Sequence, residues 1–273
     1  MDRASEMMLI NGTPADTIPA TDRGFAYGDG VFRTFIARDG QPRNWRWHYD
    51  KLEADCAALG IVCPDTTLLH DEVVAVSKSH ARAVVKITVT RGSGPRGYAP
   101  PHAAQPLRVV SAEAASALAI PAGMEVHLCQ TRYARQPALA GVKHLNRLEN
   151  VLARREWSDA HVREGLMLDT SGLVIGGTMS NVFIVEEAGL VTPALDQCGV
   201  AGVTRARVLA LMPVLRFACA IDEITLPRLL AAREVFFVSS VIGLWRVARL
   251  GATAWESRDV SSRVAAALEA ADE

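Results

Sequence analysis

The chain has 273 residues, 49% hydrophobic and 22% charged, the balance of an ordinary folded protein with enough length for two domains. Its 29 Lys and Arg against 30 Asp and Glu leave a formal net charge of -1, which excludes a broadly basic surface for nucleic acid. Five cysteines at irregular spacing and without a CxxC pair exclude a disulfide framework, so reduced thiols in a cytoplasmic protein are expected.

The first apolar run, residues 7–10, is too short for a signal segment or a membrane span. It reads as a strand entering the Asn11-Gly12 turn of a hairpin. Residues 31–37 predict a second strand, closed by the turn Asp39-Gly40. From Trp47 the spacing becomes helical, with Leu52, Cys56 and Leu59 on one stripe and Gly60 as the terminator. Residues 71–79 predict another helix, and 83–90 and 107–111 two β-branched strands. The Ala-rich stretch 112–123 reads as a connection between domains. Beyond it, residues 125–131 predict a strand and 145–157 an amphipathic helix with Leu148, Val151 and Leu152 on or beside one face. Short apolar strands are expected at 166–169, 181–185 and 234–238, and helices at 204–211 and 226–232. No repeat is present, and the mixture predicts α+β layers. The expected domains are 1–115 and 125–273, joined by a linker at 116–124.

The seven histidines show no HExxH-type spacing, so no metal site is expected. Lys143, in Gly141-Val142-Lys143-His144-Leu145-Asn146-Arg147-Leu148-Glu149, reads as a lysine placed immediately before a helix. That position disfavours its charged form and suits a base or a Schiff-base amine. Taken alone, it reads far more readily as one more solvated surface lysine, and only its context changes that. Gly202-Val203-Thr204-Arg205 reads as a capped helix start, a position able to receive phosphate. Arg91 and Arg96 flank a Gly-Ser-Gly-Pro loop in which glycines permit close approach of a ligand.

Five motifs in order carry a resemblance: residues 22–32, 86–98, the Lys-His-Leu-Asn-Arg-Leu-Glu run at 143–149, Thr-Met-Ser-Asn-Val-Phe at 178–183, and Gly-Val-Thr-Arg at 202–205. Together they resemble the fold-type-IV pyridoxal-phosphate enzymes, the branched-chain-aminotransferase type. The lysine run is most similar to that of aminodeoxychorismate lyases. The resemblance implies a two-domain α+β fold like that of D-amino acid aminotransferase and a cytoplasmic homodimer bound to neither membrane nor nucleic acid. It implies pyridoxal 5'-phosphate held covalently by Lys143, its phosphate received by Val203 and Thr204 with help from Ser239, Ser240 and Lys51, and its ring packed on Val200.

The implied activity is conversion of 4-amino-4-deoxychorismate to 4-aminobenzoate and pyruvate in folate biosynthesis, with Arg33, Arg91 and Arg96 as cations for a dianionic substrate. A D-amino or branched-chain amino acid aminotransferase and a non-catalytic cofactor-binding homologue are the alternatives. Two positions depart from the pattern. Lys51 stands where the family has a phosphate-binding arginine, and it lacks that residue's planar two-pronged geometry. Gly176 stands where the family has the glutamate that pairs with the pyridine nitrogen. Losing that acid weakens the cofactor as an electron sink and argues against transamination more than against an aromatising lyase.

Overall fold

A computed structural model describes residues 7–116 and 123–271. Of the linker expected at 116–124, residues 117–122 lie outside the described residues. By its contacts the chain divides into two compact units. The first takes the described residues up to 116 together with Lys143–Asn146, and the second takes 123–142 and 147–271.

In the first unit six strands form one antiparallel sheet: β1 (Met8–Ile10), β2 (Thr13–Pro14), β3 (Gly30–Arg38), β4 (Gln41–Pro42), β5 (Arg82–Thr90) and β6 (Leu107–Ala114), in the order β2-β1-β6-β5-β3-β4. β3 and β5 pair along their whole length, from Gly30↔Thr90 to Arg38↔Arg82. Alternation sends Phe35 and Ala37 inward from β3 and Val85, Ile87 and Val89 from β5. The Asn11-Gly12 turn forms as expected, both residues taking positive φ.

Three helices complete this unit: α1 (Arg23–Tyr27), α2 (Trp45–Ala58) and α3 (Thr66–Ser77). Asp65 caps α3 through Thr67 N and Leu68 N, which is why that helix starts five residues before the apolar spacing suggested. The buried residues of α2 are His48, Leu52, Asp55 and Cys56. One of them is an acid in a stripe that is otherwise the helix's inward face.

The second unit holds a nine-stranded mixed sheet. Its strands are β7 (Met124–Leu128), β8 (Val162–Leu168), β9 (Val174–Gly177), β10 (Asn181–Glu186), β11 (Gly189–Pro193), β12 (Cys219–Asp222), β13 (Glu234–Ser239), β14 (Gly243–Leu250) and β15 (Thr253–Ala254). The order is β12-β11-β10-β13-β14-β7-β8-β9, with β15 on β14. Its helices are α4 (Leu148–Arg154), α5 (Val203–Leu215), α6 (Leu226–Leu230) and α7 (Asp259–Ala270).

Both faces of β10 and β13 are covered. Val182, Ile184 and Phe237 enter one cluster with Trp245. Phe183 and Phe236 enter another with Val208 and Met212 of α5 and Val264 and Leu268 of α7. Hence these strands read as unbroken apolar runs without alternation. Among the described residues no helix is long and apolar enough to cross a membrane. The α+β architecture expected from the sequence is the one the chain has.

Candidate active site

Lys143 does not sit in the first turn of a helix, as the sequence suggested, because α4 begins only at Leu148. Residues 143–146 are an extended strap laid along β3 in the first unit. Phe32 N donates to Lys143 O at 3.0 Å, Leu145 N donates to Gly30 O at 2.9 Å, and Val31 bridges His144. Glycine makes this approach possible. A Cβ on Gly30 would lie 2.8 Å from Leu145 Cδ1, and one on Gly28, whose φ is +68°, would lie 2.3 Å from Asn146 Oδ1. Lys143 itself is half-buried, and its Nζ stands over the Phe32 ring, 4.4 Å from the centroid.

Beneath the strap, Asp55 gathers the cations. Its Oδ2 accepts from Lys143 N at 3.1 Å and from the Arg33 guanidinium, and its Oδ1 accepts from the Lys51 ammonium. Asp55 and Arg33 are 1% and 2% exposed. Burial pushes Arg33 down to about 9, so it stays cationic at neutral pH. Burial, and then the charges of Arg33 and Lys143, push Lys51 down to about 7.

The other two arginines expected to meet substrate share a network around Asp29. Arg91 donates to both Asp29 oxygens at 2.8 and 3.0 Å, and to Leu59 O and Gly60 O. Arg23 reaches Asp29 at 2.8 Å and Gly97 O and Tyr98 O at 2.9 Å each. Burial alone would raise the Asp29 carboxyl, but hydrogen bonds and charge from Arg91 and Arg23 outweigh it and hold the group below the usual range. Arg91 is therefore a brace and Arg33 an ion-pair partner, whereas Arg96 is exposed. Asp55, Asp29 and Arg23 were not singled out from the sequence.

In the second unit the candidate residues collect at the start of α5. Gly202 is its N-cap, with no side chain capping the first turn. Asn181 accepts from Gly202 N at 3.1 Å and donates to Val200 O at 2.7 Å, fixing the loop that precedes the helix. A Cβ on Gly202 would meet Asn181 Oδ1 at 2.3 Å. Val203 and Thr204 open the helix, both buried, and Thr204 Oγ1 lies 3.1 Å from Ser240 Oγ. Ser239 Oγ accepts instead from Ile242 N at 3.4 Å. Gly141, two residues before Lys143, pairs with Val200.

Gly176, on β9 opposite Met167, leaves no slot for a larger residue, since a Cβ there would lie 2.8 Å from Ser180 O. A buried acid does stand close by. Glu164 is 0% exposed, but its carboxylate is committed to the 178–180 turn, accepting from Thr178 N at 2.9 Å, Thr178 Oγ1 at 2.5 Å and Ser180 Oγ at 2.6 Å. Among the described residues no cluster of three His, Cys, Asp or Glu could hold a metal ion.

Comparison with known families places this geometry. Residues 30–250 match Amino-transferase class IV, and the chain belongs to that family. It is 34% identical over 254 residues to an aminodeoxychorismate lyase of Vibrio harveyi, covering 90% of this chain and 92% of that one. It is 31% identical to a putative branched-chain-amino-acid aminotransferase of Methanocaldococcus jannaschii, covering 85% and 84%. The crystal structure of 4-amino-4-deoxychorismate lyase from Pseudomonas aeruginosa superposes with a TM-score of 0.92 at 41% identity, over 97% of this chain and 98% of that one. Members of this family are pyridoxal-phosphate enzymes. The residues present fit that cofactor: an amine for its aldehyde at Lys143, and for its phosphate an uncapped helix start with two hydroxyls beside it.

Proposed function

We propose that the chain is the lyase that converts 4-amino-4-deoxychorismate to 4-aminobenzoate and pyruvate in folate biosynthesis, acting as a cytoplasmic homodimer. The observation that carries the reading is Lys143: its carbonyl and amide are held by β3 and by Asp55 respectively, while its amine points over Phe32. A main chain fixed on both sides beneath the amine suits a group that must bond, release and carry a proton within one turnover.

Lys143 would hold the cofactor through its aldehyde. The first-turn amides of α5 at Val203 and Thr204, with the Thr204 and Ser240 hydroxyls, would receive the phosphate through hydrogen bonds and the positive end of the helix dipole. Lys51 would add a point charge, and Val200 would line the ring. When bound, pyridoxal 5'-phosphate supplies an electron sink for the carbon that carries the substrate's amine. Once the substrate's amine has displaced it, Lys143 Nζ would take the proton from that carbon and return one to the methylene of the departing enolpyruvyl group. The ring–oxygen bond breaks, and the atoms balance as one 4-aminobenzoate and one pyruvate.

Arg96, exposed and on the loop that Arg23 holds in place, meets a substrate carboxylate. Gly176 favours the lyase over the aminotransferase alternative, because aromatisation drives elimination without a strong sink. Pyruvate measured from enzymatically generated aminodeoxychorismate tests the proposal. Sustained release is expected, whereas no release, with an L- or D-amino acid instead converting bound cofactor to its amine form, would assign the protein to the aminotransferases.

A further inference from the structure

The inward face of an amphipathic helix is the place for an apolar side chain. On α2 that face carries His48, Leu52, Asp55 and Cys56, and Asp55 is 1% exposed. A buried carboxylate is costly unless its lone pairs are met by donors and its charge by cations. Asp55 has both, from three directions. Arg33 reaches it from β3, Lys51 from one turn earlier on its own helix, and the Lys143 backbone N–H from the strap.

Two of these partners are cations, Lys51 feels the charges of both Arg33 and Lys143, and Asp55 is the carboxylate that Arg33 and Lys51 both contact. The third partner is the amide of the reactive lysine itself, whose carbonyl is already bound to Phe32 N. One side chain thus ties the peptide at Lys143 to α2 and offsets the positive charge that gathers under the strap.

We propose that Asp55 is the positioning residue of the cofactor lysine: through its backbone hydrogen bond it fixes where Lys143 starts, and through its charge it keeps the neighbouring cations from suppressing a positive charge on the lysine nitrogen. This rests on the reading of Lys143 as the lysine that bonds the cofactor. The sign is fixed by electrostatics. Removing an anion from among cations destabilises every protonated nitrogen near it, so each of them loses its proton at lower pH.

Two variants test the inference. Asp55→Asn, reconstituted with pyridoxal 5'-phosphate, is titrated by following the visible band of the lysine-bound cofactor. The midpoint is expected about one pH unit below that of the parent, a tenfold change in proton affinity, with kcat reduced more than KM is raised. Arg33→Met combined with Asp55→Leu replaces the ion pair by apolar groups of similar size, a change buried pairs often tolerate. In the cofactor-free form of that double variant, hydrogen exchange at the Lys143 amide is expected to be at least about tenfold faster than in the parent. An unmoved midpoint in Asp55→Asn, or parental exchange at Lys143 in the double variant, overturns the inference. Absence of the visible band in the parent protein overturns the reading of Lys143 instead, and the exchange measurement still decides the role of Asp55.

Discussion

The two units carry groups of two opposite kinds, each suited to an anionic ligand. The first uses full charges: Arg33 and Lys51 pair with a single buried carboxylate, which also accepts from the backbone N–H of Lys143. At the start of α5 the second offers neutral groups, the hydroxyls of Thr204 and Ser240, backbone amides of the Asn181-held loop and the end of a helix dipole, while the Arg205 guanidinium there is turned to Thr192 and Pro193 O. Neutral donors fixed by backbone recognise shape and hold it at any ordinary pH. Clustered cations are tunable, because each shifts the proton affinity of the next: Lys51, pushed down to about 7 first by burial, is lowered further by Arg33 and Lys143.

The sharpest break of this contrast removes the amine. Lys143→Ala is expected to lower pyruvate release by roughly four orders of magnitude or more, since it loses both the covalent bond and the proton carrier. A coupled pyruvate assay checks this, and turnover near the parental rate would refute the assignment. Next in size is the divergence of two arginines that the sequence treated alike. Arg91→Ala removes charge-assisted hydrogen bonds to Asp29 and the braces to Leu59 O and Gly60 O, at a cost of about 2–3 kcal/mol in urea unfolding. Arg96→Ala is expected to leave unfolding within about 0.5 kcal/mol of the parent while raising KM for the dianionic substrate.

A smaller effect belongs to the neutral site. Thr204→Val is expected to weaken pyridoxal 5'-phosphate binding by about 1 kcal/mol, close to tenfold at most. Unphosphorylated pyridoxal should be bound as before, and equilibrium dialysis with both compounds separates the cases. The smallest effect concerns pH. With Lys51 protonated below about 7 and neutral above, the preference for the phosphorylated over the unphosphorylated compound should fall as pH rises through that value. Lys51→Met should flatten the slope, and an unchanged slope would remove Lys51 from the phosphate's surroundings.

Much of the architecture was legible because period and punctuation agreed. β3, β5 and α2 announce themselves through β-branched runs, the Asp39-Gly40 turn and the spacing of Leu52 and Cys56. Elements without such signals were missed. β9 ends in Gly176-Gly177, which carry no side chains to alternate, and β14 interleaves Trp245 and Val247 with Arg246 and Arg249.

The start of α4 was misplaced because Leu145 extends the helical spacing of Leu148, Val151 and Leu152, yet its own backbone pairs with Gly30. Within the site, the positions of Thr204 and Lys143 in their motifs were visible, whereas Asp55 was not. An acid reads as solvent-facing by its charge, even where its spacing, three residues after Leu52, puts it on the apolar stripe. The available clue was its place in the His48-Leu52-Asp55-Cys56 stripe, together with an arginine at 33.

The strap has a consequence for how the protein is made. Every strand of the first sheet lies before residue 115, so a chain emerging from the ribosome can finish that sheet before Lys143 has been synthesised. The lysine then docks onto Asp55, 88 residues earlier in the sequence, and onto β3, earlier still. Contacts of such long sequence separation close late. The Lys143 amine therefore acquires its setting near the end of folding, and half-made chains carry it without the contacts of the strap.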